Sequence, residues 1–85
     1  MAALVIPRFI SESVILSKEE IAQLASLAAM PTDEEVDAIR GLADIQELWN
    51  AFIGDETTRT THLQLKAKGY LAAGQVSMAW KVLLL

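Results

Sequence analysis

The chain has 85 residues, no cysteine and a formal net charge of −4 at pH 7. That length sets a single domain, 1–85, which buries only about two-thirds of its unfolded surface, so it is marginal alone and gains from a partner. The missing thiols exclude disulfide staples and thiolate metal sites, and they fit a reducing compartment.

Apolar residues make up 53% of the chain and aromatic ones only 6%. The excess is Ala, Leu, Ile and Val, a mix that suits thin, closely packed helices. Trp49 and Trp80 fall at the ends of predicted helices and are expected to anchor the core. All eleven acidic side chains lie within residues 1–56, whereas Arg59, Lys66, Lys68 and Lys81 are the only charged side chains after them. Such halves attract within one chain or between two copies, or stand as two solvated faces.

Residues 1–6 are apolar, but Pro7, Arg8 and Glu12 follow at once. The basic start and long apolar core of a signal peptide are missing. No apolar run approaches the ~20 residues of a membrane span. The expectation is a soluble, cytoplasmic protein.

In chain order, residues 2–15 hold two short apolar stretches, ALVI and SVIL, with Pro7 preventing one continuous element. The first expectation is an arm packed on a helical bundle, and the second a small hairpin covered by a helix. Ser17 and Glu20 are spaced as a capping box, followed by a helical stripe of Ile21, Leu24, Ala25, Leu27 and Ala28. Pro31 predicts the end of this helix near Ala29 or Met30. Thr32 and Glu35 repeat the box, with Asp33 and Glu34 in the first turn where the helix dipole favours acid. Val36, Ile39, Leu42, Ala43, Trp49, Phe52 and Ile53 continue an apolar face, with Gly41 placed to kink or split the helix and Gly54 to stop it. Residues 55–61, DETTRTT, are polar and without period, so an exposed loop is expected, with Thr60 or Thr61 capping the next helix. Leu63, Ala67, Tyr70 and Leu71 share a helical face, although LQLKAK also alternates like a strand. Gly74 allows a turn, and Val76, Ala79, Trp80 and Leu83 form the last stripe. The fold class is all-α, a compact bundle of four short helices, or five if Gly41 splits the second.

Leu63, Ala67, Tyr70, Gly74, Ala79 and Leu83 stand at the offsets of a tetratricopeptide-type hairpin, which residues 63–83 resemble. Lys66 departs from that pattern, which usually has Leu there, and the closing Pro is missing. The resemblance implies a helix-turn-helix hairpin and no peptide-binding array, since a stack needs about three repeats. Residues 16–49 resemble the N-terminal hairpin of the small C subunit of bacterial aspartyl/glutamyl-tRNA amidotransferase. Glu19, Glu20, Ile21, Leu24, Ala25, Leu27 and Ala28 match its pattern, while the next acidic cap comes a residue early and the family's C-terminal arm is replaced by the basic hairpin. That resemblance implies a non-catalytic helical hairpin lying on a larger partner.

The same stretch has the approximate length of a DNA-reading helix-turn-helix. Its second helix would enter the groove with Asp33, Glu34 and Glu35, which repel phosphate, so no direct DNA binding is expected. His62, expected to be exposed near a helix start, is the only histidine, which excludes metal sites built on two or three histidines. No serine sits in a nucleophile elbow, and the glycines are scattered singly, with no phosphate loop. The chain reads as non-catalytic, with no cofactor, metal or small-molecule substrate evident.

The leading expectation is a protein-interaction module, a small helical adaptor or homodimer. Trp80, Val82, Leu83, Leu84 and Leu85 either form its hydrophobic contact or close the monomer's own core. The alternative is a small acidic inhibitor, of the kind a phage or other mobile element encodes, that covers a basic, nucleic-acid-binding surface of its target with Asp33, Glu34, Glu35, Asp37, Asp44 and Glu47. An accessory subunit of an enzyme complex comes third.

Overall fold

Ser17 and Thr32 start helices as their spacing predicts. Ser17 Oγ accepts the Glu20 N–H at 3.1 Å, and the Glu20 carboxylate accepts the Ser17 N–H at 2.7 Å. Thr32 and Glu35 make the same reciprocal pair at 3.2 and 3.0 Å. Each box satisfies two N-terminal donors that the helix itself leaves without partners.

The computed structural model describes residues 6–85, which form six α-helices and no strand. They are α1 (Arg8–Ser11), α2 (Lys18–Ala25), α3 (Asp33–Ile39), α4 (Ala43–Ala51), α5 (Glu56–Ala72) and α6 (Val76–Leu83). The all-α expectation holds, with the count raised by the split at Gly41 and by α1. The radius of gyration is 12.5 Å, against roughly 12 Å for a compact chain of this length.

The α5–α6 hairpin is the frame. Gly74 turns it with φ 76°. The Gly74 N–H bonds to the Leu71 carbonyl at 3.0 Å and the Gln75 N–H to the Tyr70 carbonyl at 2.8 Å. These two bonds are the Schellman pair that ends a helix on a left-handed residue, a conformation glycine adopts without steric cost. Ala67 on α5 and Ala79 on α6 are wholly buried, and their small side chains let the two helices approach closely. α6 also packs on α2 and α3, while α5 packs on α2 and α4. The C-terminal helix is therefore the centre of the molecule, and it buries Ala79, Trp80, Val82 and Leu83.

Several expectations are corrected. Residues 6–15 form neither an extended arm nor a hairpin. They make the single turn α1, which carries Ile10 into the core with no exposed surface; the part of the expected arm at residues 2–5 lies outside the described residues. α2 ends at Ala25, well before Pro31. Its last carbonyls are taken by other donors: the Trp80 indole N–H bonds to Leu24 O at 2.7 Å, and Ser26 Oγ bonds to Gln23 O at 2.6 Å. Residues 56–61 are helical rather than a loop. Asp55 caps α5 by accepting the Thr58 N–H at 3.1 Å and its hydroxyl at 2.7 Å, so the cap lies five residues before Thr60. His62 accordingly sits in the body of α5, exposed, with its ring stacked 4.4 Å from that of Phe52.

The break at Gly41 resets the phase of the helix that follows. Leu42 takes extended backbone, ψ 137°, ahead of α4. As a result Ile45 is buried, with Leu48 and Trp49 packed against the core, while Leu42 and Ile53 point outward. Trp49 is thus only half-buried at the rim, and Trp80 is the indole that anchors the core.

Candidate functional site

The five candidate contact residues near the end of the chain divide. Trp80 and Val82 have no exposed surface and lie in the chain's own core, and Leu83 is 6% exposed. Leu84 and Leu85, beyond the last turn of α6, stay partly exposed. They line a cavity of about 290 Å³ with Phe9, Thr60, Leu63, Gln64 and Leu83. Leu84 also borders a second cleft, of about 470 Å³, whose wall is mixed: Met30, Pro31 and Val36 are apolar, and Asp33, Asp37 and Arg40 are charged. Phe9 and Met30 are 48% and 39% exposed. Leu84 is therefore an apolar ridge between two clefts, each rimmed by a large exposed apolar side chain. Neither Phe9 nor Met30 stood out in the sequence. The available signal was Phe9 beside Ile10, two apolar neighbours that one helical turn cannot both bury.

The six acids also divide. All are exposed. Asp44 bonds to the Lys66 ammonium at 3.0 Å, Asp37 to Arg40 at 3.0 Å, and Glu35 is held in its capping box. Asp33, Glu34 and Glu47 make no ion pair among the described residues. The acidic and basic halves of the chain do meet within one molecule: Lys66 reaches Asp44 on α4, and Lys68 reaches Glu20 on α2 at 2.6 Å while also donating to Ile15 O at 3.1 Å.

These contacts set the acid response. The Lys68 ammonium, and then the Ser17 N–H, hold the Glu20 carboxyl below its ordinary range. Lys66 does the same for Asp44, the Thr32 backbone and hydroxyl for Glu35, and Thr58 for Asp55. A carboxyl depressed by folding contributes stability that is fully present above its unfolded value and lost as pH falls through the folded one. The melting temperature is therefore expected to fall steadily from about pH 5 to pH 3. Glu20→Gln should cost about 1 kcal/mol at neutral pH and flatten that fall; an unchanged pH slope in the variant would show that the Lys68 contact does not couple to folding.

Among the described residues, no group of three His, Cys, Asp or Glu side chains is placed to share a metal, and no helix is long and apolar enough to cross a membrane. No family model matches the chain, and no curated protein or solved structure matches it.

Proposed function

We propose that this chain is a non-catalytic protein-interaction module, a small helical adaptor that associates through the ridge at Leu84 and Leu85. The observation that carries the reading is the ridge between a mainly apolar cleft bordered by exposed Phe9 and a mixed cleft in which exposed Met30 stands beside Asp33, Asp37 and Arg40. A ridge beside a cleft is self-complementary, the requirement of a two-fold homodimer contact, in which the same patch serves both subunits. A second copy is therefore the preferred partner. The lack of cysteine supports a reducing, cytoplasmic setting.

Light scattering at low and high salt tests it. The wild type should be a dimer whose mass persists in high salt, because apolar contacts are not screened. Phe9→Asp and Leu85→Asp should each yield a monomer with unchanged helical circular dichroism. A wild-type monomer at both salts would overturn the homodimer, and unfolding of both variants would assign Phe9 and Leu85 to the core.

One observation favours a second reading, the acidic inhibitor: Asp33, Glu34 and Glu47 are exposed without a basic partner among the described residues. Binding of that kind to a basic surface would weaken sharply as salt rises, the opposite of the behaviour expected for the ridge.

A further inference from the structure

Where the acidic and basic parts of the chain meet, two arginines converge on one indole. The Arg59 guanidinium lies 4.2 Å from the Trp49 ring centroid and that of Arg40 lies 5.8 Å from it. Arg59 makes no ion pair among the described residues, and Arg40 is bound through Nε to Asp37 at 3.0 Å. Each arginine also has an acidic neighbour, Asp37 on Arg40 and Asp55 near Arg59. Beside them opens a cavity of about 430 Å³ lined by Arg40, Ile45, Gln46, Trp49 and Asn50. Arg59 does not line it, so the cavity meets the indole from the Arg40 side, with Arg59 steadying the ring from elsewhere.

Each wall has a distinct chemistry. Asp37 fixes Arg40 through Nε, which leaves both terminal nitrogens as a fork for an oxyanion. Trp49 presents aromatic surface on which a planar ring stacks. Gln46 and Asn50 stand one helical turn apart on α4, so their amides project on the same face and supply donors and acceptors for the edge of such a ring. Ile45, 1% exposed, forms an apolar floor. The volume lies within the range of small-ligand pockets.

We propose that this cavity binds a small aromatic phosphate of the nucleoside monophosphate class, with the phosphate on Arg40, the base against Trp49 and its edge read by Gln46 and Asn50. Because the cavity holds a single arginine and the chain's net charge is −4, one phosphate suits it and a polymer of phosphates does not. Arg40 also lines the cleft beside Leu84, while Trp49, Gln46 and Asn50 do not, so nucleotide binding at the indole is distinguished from association at the ridge by the Trp49 signal and Asn50→Ala.

Titration with adenosine monophosphate, followed by the two indole N–H signals in nitrogen-15 spectra, tests this. The Trp49 signal should shift saturably, while that of Trp80, locked on Leu24 O in the core, should stay in place. Arg40 and Asn50 are exposed, so Arg40→Gln and Asn50→Ala should keep the fold and weaken binding at least tenfold. Adenosine and inorganic phosphate should each bind at least tenfold more weakly than the nucleotide. No saturable shift at millimolar nucleotide, unchanged affinity in Arg40→Gln, or equal binding of either fragment alone would overturn the proposal.

Discussion

Trp80→Ala is expected to be the most destabilising single truncation in the chain, at a cost of at least about 3 kcal/mol in urea unfolding. Trp80 is the largest side chain with no exposed surface, and it sits on the helix that touches α2, α3 and α5. Emptying such a site costs about 3–5 kcal/mol. The change also strips the indole donor from the Leu24 carbonyl, bonded at 2.7 Å in the interior, and leaves it only the longer bond from the Leu27 N–H at 3.3 Å, a loss of about 1 kcal/mol more. Against a total stability of roughly 4–13 kcal/mol for a domain of this length, the sum takes from about a third of the margin to all of it. Trp80→Phe separates the two contributions, because it keeps most of the ring and removes the N–H. It should cost roughly 2–3 kcal/mol in urea unfolding and speed hydrogen exchange of the amides around Ser26 and Leu27, where α2 ends. A Phe variant within 0.5 kcal/mol of the wild type would show that the indole bond contributes nothing and that some other feature stops α2.

Ile10→Ala is expected to cost about 2–4 kcal/mol, although Ile10 belongs to a turn of only four residues. A turn so short has no stability of its own, because helix nucleation is unfavourable. It forms because Ile10, wholly buried, joins the cluster that holds Trp80, Leu24 and Leu71. Ser13 fastens the chain behind it: its hydroxyl donates to Gln64 on α5 at 2.7 Å and accepts the Ile15 N–H at 3.1 Å. Val14, in the same segment, is 99% exposed, so Val14→Ala should change stability by less than about 0.5 kcal/mol. The pair is measured by urea midpoints at constant slope. Equal effects at the two positions would show that the N-terminal turn does not share the cooperative core.

The same contrast shows how far the sequence could be read. ALVI and SVIL look alike as apolar stretches, yet SVIL spends one residue, Val14, wholly in solvent and buries Leu16. Periodicity cannot decide this, because the segment is too short to have a period and its direction is set by where α5 and α6 accept it. The acidic and basic halves were plain, but their pairing was not: Lys68 finds Glu20 at 48 residues' separation. Of the candidate contact residues, Trp80 and Leu83 already stood on the last helical stripe, yet the sequence left all five open between contact and core. Trp80, Val82 and Leu83 are buried, since α6 lies at the centre of the molecule and is covered on several sides, while Leu84 and Leu85 stay partly exposed. The Trp49 cluster escaped notice because Arg40, Trp49 and Arg59 belong to three separate stretches.

What the sequence by itself determined was local. The capping boxes at Ser17 and Thr32, the glycine turn at Gly74, the break at Gly41 and the all-α class each follow from bonds or dihedrals within a few residues of one another. Only the tertiary structure decided where α2 stops, which face of α4 turns inward, and which of Trp80, Val82, Leu83, Leu84 and Leu85 remain in contact with solvent. Those outcomes depend on donors and apolar surfaces that arrive from distant parts of the chain. A carbonyl at Leu24 can end its helix on an indole only when α6 has brought Trp80 against it.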